Sequence, residues 1–285
     1  SAAVLQAAGQ GHAVAAAATA ARLAKADLVT AVVYEFAELQ GIMGREYALL
    51  DGEDPAVAQA IFEHYLPRFA ADALPEGHAG RAVSIADKMD NIVATFSRGL
   101  IPSGSQDPYA LRRQALGIVN TLIQAGYHLS LAALAAQAME LLGVLPDRRP
   151  ALAVELAEFF RLRLRNVLTG AGVRCGRVDA ALAVGVDDAA DVWLRARSMA
   201  STEGEAVLAR VVQAFTRAGN LAKNATTAEI DPALFVTDAE RELFAACEAA
   251  SSAAAAAVSD RNYAAVLAAL AGLAAPIDTF FAQVM

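Results

Sequence analysis

The chain has 285 residues with 23 basic and 31 acidic side chains, so it carries a net charge of −8 and a pI near 5.1. Apolar residues make up 56% of it and aromatics only 6%, with alanine alone about a quarter. That composition excludes a disordered chain, and the acidity excludes a broad basic coat for nucleic acid while leaving room for a local one.

The length suggests two domains and permits a sizeable core. Apolar runs stay shorter than the roughly 18 residues of a membrane span, Leu129–Leu145 being broken by Ser130, Gln137 and Glu140, so no span is expected. Cys175 and Cys247 lie far apart and fit a reducing cytosol without disulfides. The chain begins with Ser1 and shows no basic stretch ahead of an apolar one, so no secretory leader is expected and the sequence reads as a fragment.

Apolar residues recur at three- and four-residue spacing throughout, and alanine has the highest helix propensity, so an all-α fold of consecutive bundles is expected. A first long helix is read from about Ala13 to Glu35 through Leu23, Leu28, Val32 and Val33, ended by Gly41 and Gly44. Asp54-Pro55 marks a helix start, because the carboxylate accepts free backbone N–H groups and proline suits the first turn. A helix follows over about Gly80–Arg98, then a linker at Gly99–Gln106. Asp107-Pro108 repeats the capping device ahead of a helix reaching Gln124. Further helices are expected at Ser130–Leu142, Ala151–Leu168, Arg174–Ala183 and Asp188–Met199. Thr202 with Glu205, and Thr237 with Glu240, read as capping boxes. The last helices are placed at Asp260–Ala274 and Pro276–Met285.

Charge is uneven: residues 1–100 sum to −5, residues 101–218 to +2 and residues 219–285 to −5. The middle is where a polyanion would be met, its arginines densest at Arg148, Arg149, Arg161, Arg163, Arg165, Arg174 and Arg177. Arg161 and Arg165 share a helix side while Arg163 points away. Arg210, Arg217, Asn220, Lys223 and Asn224 fall near one face of a later helix, away from part of its Val/Phe stripe. A solvated helix face is the plainer reading of both groups. Arg112 and Arg113 read as structural, holding the joint through ion pairs.

Catalytic chemistry is not written in the chain. The four histidines, His12, His64, His78 and His128, form no close pair, no phosphate loop of the Gly-x-x-x-x-Gly-Lys type occurs, and no Gly-x-Ser-x-Gly elbow is present. Asp87 and Asp90 are three apart on one helix side and could pair as carboxylates, or form a solvated acidic face with Lys88 between them.

Six segments in order nevertheless resemble one family. Leu23-Ala-Lys-Ala-Asp-Leu-Val29, Glu35-Phe-Ala-Glu-Leu-Gln-Gly-Ile-Met-Gly44 and Glu63-His-Tyr-Leu-Pro-Arg68 are similar to the β subunit of bacterial heterotetrameric glycyl-tRNA synthetase. So are Ile85-Ala-Asp-Lys-Met-Asp90, Leu100-Ile-Pro-Ser-Gly-Ser-Gln-Asp-Pro-Tyr-Ala-Leu-Arg-Arg113 and Asp231-Pro-Ala-Leu-Phe235. The resemblance runs from about Ala20 to Met285 and corresponds to the C-terminal part of a longer subunit. It implies a degenerate HD-type bundle over 1–100, a helical body over 101–190 and a partial anticodon-binding bundle over 191–285.

In HD-type phosphohydrolases a His, a His-Asp pair and a later Asp hold metal. Ala26-Asp27 stands at the pair and Asp87 at the final Asp, so the resemblance implies no metal and no catalytic residue, unless His64 or His78 compensates. It further implies a subunit of glycine–tRNA ligase that binds and positions tRNA in the cytoplasm. The α subunit and glycine tRNA would be its partners, with no membrane or DNA, and ATP and Mg would belong to the α subunit. The other readings are an HD-type metal phosphohydrolase with unusual ligands and a helical protein-interaction scaffold.

Overall fold

The computed structural model describes residues 1–69, 71–223, 225 and 229–284. Among these residues the chain is all-α, with no strand. The helices are α1 Ala2–Ala7, α2 Val14–Leu23, α3 Ala31–Glu35, α4 Ile42–Leu50, α5 Pro55–Glu63, α6 His78–Ser97, α7 Leu111–Ala125 and α8 Leu131–Leu141. They continue as α9 Arg149–Gly170, α10 Cys175–Ala183, α11 Ala189–Ala200, α12 Thr202–Ala222, α13 Asp238–Ser259, α14 Tyr263–Ala271 and α15 Ala274–Gln283.

Contacts group the chain into two compact units, Ser1–Gly172 with Ala181–Trp193, and Val173–Ala180 with Leu194–Met285. Residues on both sides of the Gly99–Gln106 segment belong to the first, because α6 packs on α2 and α5 before that segment and on α7 and α8 after it. The reason is visible in α6 itself. Its buried Val83, Ile85, Met89, Ile92, Val93 and Phe96 face several directions, which a helix enclosed by neighbours requires. Leu111, Ile118 and Leu122 of α7 and Leu156, Phe160 and Leu164 of α9 complete this core.

The single helix expected over Ala13–Glu35 is corrected: α2 ends at Leu23, a short 3₁₀ turn occupies Ala26–Val29, and α3 begins at Ala31. Ala24 leaves the helical region and Lys25 takes a left-handed conformation with φ of 66°. That turn carries Asp27 into the interior, where it finds partners a continuous helix would deny it. Asp54 caps α5 as read, its carboxylate accepting Ala56 N–H at 2.7 Å with Pro55 at the first position. Asp107 caps differently. The helix starts at Leu111, and the Asp107 oxygens reach forward to Leu111 N–H at 2.8 Å and Arg112 N–H at 2.9 Å.

In the second unit, Ala214 of α12 packs on Leu273 and Ile277, with Leu243, Ala246 and Phe281 around them. Ser201, not Thr202, caps α12, accepting Gly204 N–H at 3.0 Å; the Thr202 side chain of the expected box lies outside the described residues. The Thr237–Glu240 box is formed: Glu240 Oε2 accepts Thr237 N–H at 2.7 Å and Thr237 Oγ1 accepts Glu240 N–H at 3.3 Å. Thr237→Ala should therefore cost about 1 kcal/mol, read as a lower urea midpoint for this unit; an unchanged midpoint would mean that α13 frays there anyway.

The expectation that nothing matches a membrane span is also corrected. Tyr263–Gln283 is long and apolar enough by length and composition alone, an 18-residue window within it having a mean hydropathy of 1.8. Asp278 is its only charge and alanines carry much of the hydropathy. The chain divides this stretch at Gly272-Leu273 into α14 and α15, and turns Leu273 and Ile277 into the core.

Candidate functional site

The Lys25 turn, the end of α5 and the middle of α6 converge on a polar centre in the first unit. Asp27 is buried, its Oδ2 accepting Gly41 N–H at 2.6 Å and its Oδ1 accepting the Tyr65 hydroxyl at 3.2 Å. Glycine is needed at position 41: φ is 81°, and a Cβ would stand 2.7 Å from Tyr65 Cδ2. Burial raises the Tyr65 pKa, which keeps the phenol protonated and donating.

Alongside, the Lys25 ammonium donates to Asp87 Oδ1 at 2.5 Å. Lys88, the next residue on α6, turns inward and is buried. Its Nζ donates to the carbonyls of His64 at 3.0 Å and Leu66 at 2.8 Å, and to Ser84 Oγ at 2.8 Å. Burial holds its pKa down at about 8, partly offset by the Asp87 charge. The reading of Lys88 as part of a solvated acidic face is thus corrected, and Asp87 faces an ammonium in place of a second carboxylate. His64 is fully buried, with Nδ1 2.5 Å from the Ile61 carbonyl, so that nitrogen carries the proton. Its Nε2 has no hydrogen-bond partner among the described residues. Burial lowers the His64 pKa, so the ring is neutral at pH 7.

These residues do not fit a divalent metal. Ala26 supplies no donor atom, both Asp27 oxygens already accept protein hydrogen bonds, and Asp87 faces the Lys25 ammonium. Among the described residues His64 Nε2 is the one buried nitrogen with a free lone pair, and Lys25 and Lys88 both act on that ring as nearby positive charges. No cluster of three ligating side chains occurs among the described residues. His78 does not join this centre; its Nδ1 lies 2.5 Å from the Tyr127 hydroxyl and its ring stands edge-on to His12.

The arginine faces are partly occupied. Arg161 Nη1 donates to the Leu182 carbonyl at 2.9 Å and Nε pairs with Glu158 at 3.3 Å. Arg165, four residues on, is also engaged. Arg163 turns away from them as read, into the interior, its guanidinium 4.7 Å from the Phe159 ring centroid. In the second unit Arg217 pairs with Asp278 and lies 4.4 Å over the Phe281 ring. Arg210 is exposed, and Lys223 donates to Asn220 Oδ1 at 2.8 Å. Asn224 lies outside the described residues. Arg174 and Arg177 both pair with Glu205. Arg113 donates to the Arg68 carbonyl at 3.0 Å, a structural role as read, though made through a backbone oxygen in place of an ion pair.

Sequence reasoning missed Lys25, Tyr65 and Gly41 as members of the polar centre. A signal was present, since all three lie within the segments that resemble the family, but the contacts that tie them to Asp27 and Asp87 span 14 to 62 positions.

Comparison with known proteins matches residues 2–183 to a family model described as glycyl-tRNA synthetase beta subunit. The glycine–tRNA ligase beta subunit of Desulforamulus reducens is 48% identical over 268 residues, covering 93% of this chain and 39% of the relative. That of Desulforudis audaxviator is 47% identical over 267 residues, and that of Geobacter sulfurreducens 46% over 268, with the same coverage. The chain thus spans about two fifths of the length of the curated relatives it matches. With the family match covering well over half of its residues, and with these identities extending through both units, the chain belongs to the glycyl-tRNA synthetase beta subunit family.

Proposed function

We propose that this chain is the helical tRNA-holding region of a glycine–tRNA ligase β subunit, supporting the attachment of glycine to tRNA that occurs at the α subunit. The observation that carries this reading is identity near one residue in two, sustained over 93% of the chain, to proteins of that name. The α subunit and glycine tRNA are the partners, ATP and Mg are held by the α subunit, and the setting is the cytoplasm. Residues 1–100 act as an HD-like bundle without hydrolase chemistry, 101–190 as a body and 191–285 as part of an anticodon-binding bundle. A metal phosphohydrolase is disfavoured by the Lys25 ammonium on Asp87.

Of the two arginine faces, the α12 face is the better RNA surface, because Arg210 is exposed while Arg161 is held by Leu182 and Glu158. The test is equilibrium binding of glycine tRNA to the α–β holoenzyme across a salt series. Arg210→Ala with Lys223→Ala should weaken binding and lower the salt slope by roughly 1.4–1.8, the loss of two phosphate contacts. Unchanged affinity and slope would remove α12 from the RNA surface. The isolated chain should show no glycine-dependent ATP–pyrophosphate exchange.

A further inference from the structure

A cleft of about 330 Å³ opens in the first unit between the Pro67–Phe69 turn and the first half of α7. Its size lies at the lower end of the roughly 300–1,000 Å³ of small-ligand sites. Phe69 is 53% exposed at one wall, and Arg112, Arg113 and Asn120 line the other. Tyr109, 54% exposed, stands just ahead of Ala110, whose left-handed turn brings the chain to the cleft. Arg113 ties the walls together through the Arg68 carbonyl and keeps its remaining N–H groups.

The charge here is uneven. Asp107, also in the lining, uses both carboxylate oxygens on the backbone N–H groups of Leu111 and Arg112. Arg163 lies buried behind, its Nε and Nη1 without hydrogen-bond partners, and near enough to Arg112 for that charge, after burial, to depress its pKa. No carboxylate pairs with the Arg112 guanidinium among the described residues. Arg112, Arg113 and Arg163 thus bring three guanidinium groups to this region, where Asp107 is spent on a helix start and Asp72 is paired with Arg68. An anion seated at Arg112 and Arg113 offsets that surplus, and the half-exposed Phe69 ring in the lining, with the Arg68 guanidinium 5.9 Å from its centroid, offers a flat partner.

We propose that this cleft is a subsite for an unpaired nucleotide of a bound RNA, with the phosphate on Arg112 and Arg113 and the base against Phe69. Stacking on an aromatic ring together with a phosphate on arginine is how single-stranded RNA is held. The Asn120 amide supplies a donor and an acceptor for a base edge. An acidic peptide would meet the arginines but leave the Phe69 ring without a flat partner. The subsite rests on the tRNA reading above.

The test uses the holoenzyme with glycine tRNA over a salt series. Phe69→Leu keeps an apolar side chain at the wall and removes stacking. It should weaken binding roughly tenfold with an unchanged salt slope. Arg112→Gln should weaken binding and also lower the slope by about 0.7, since one phosphate contact is lost. Cross-linking of tRNA bearing 5-iodouridine should reach Phe69 or Tyr109. Thermal midpoints of both variants should match the parent's, which separates lost contacts from lost fold. Parent-like affinity and slope in both variants, with the parent binding tRNA, overturns this subsite alone. A parent holoenzyme that does not bind tRNA overturns the broader reading as well. Competition by a poly-glutamate peptide as effective as an unstructured oligoribonucleotide of equal charge would assign the cleft to acidic protein and overturn the proposal.

Discussion

Replacing Gly80 by alanine is expected to destabilise the first unit by about 3 kcal/mol, the upper end of overpacking penalties. A Cβ at that position would lie 2.0 Å from Glu63 Oε2 and 2.6 Å from Glu63 Cβ. The carboxylate could swing aside, but the Cβ is fixed by the backbone of α5, so the two helices must part. Moving the carboxylate has its own cost. Glu63 is buried, accepts Gln59 Nε2 at 3.0 Å, and accepts Gly77 N–H at 3.0 Å at the start of α6. Displacement leaves that backbone donor unsatisfied and removes a negative charge from a helix N-terminus. The urea midpoint should fall with little change in slope, and a loss under about 0.5 kcal/mol would show that α5 and α6 tolerate separation at this point.

The second large effect is a dependence of stability on alkaline pH. Burial holds Lys88 at about 8 against an ordinary 10.5. The folded state therefore releases this proton first, and between those values the unfolded chain binds more protons. Stability contributed by this group rises with pH across that window, by about 3 kcal/mol in full, and the penalty is fully present below pH 8. Tyr65 acts in the opposite sense: its pKa is raised in the fold, so stability is lost as pH climbs through the unfolded phenol's range near 10. Denaturant titrations from pH 7 to 10.5 should show a rise and then a turn. In Lys88→Met the rise should vanish and the downturn remain. A parent profile that is flat from pH 8 to 9.5 would show that three oxygen acceptors solvate the ammonium as well as water does.

Local signals in the sequence located most helices because they depend on neighbours in the chain. Asp54-Pro55 and Thr237–Glu240 are satisfied within four residues, and both cap their helices as read. Where a partner lies far away, spacing misled. Leu23, Leu28 and Val32 keep a helical rhythm across a turn that exists because Asp27 bonds Gly41, fourteen positions on. Lys88 sits between two acidic residues and reads as solvated, yet the carbonyls that receive it are 22 and 24 positions back. The arginine faces show the same division. Spacing placed Arg161 and Arg217 outward, but it could not show that Leu182 and Asp278 already hold them.

The ammonium facing Asp87 carries one more implication. Lys25 hangs from the backbone by a short stem, so its concentration at that carboxylate is set by tether length and not by the surrounding solution. A carboxylate that recruits its counter-charge as a free ion follows the supply of that ion, and a chelator can strip it. Here the counter-charge is made with the polypeptide itself, in a fixed ratio of one to one. The first unit leaves synthesis already supplied with it, and chelators or swings in cellular metal leave this contact untouched.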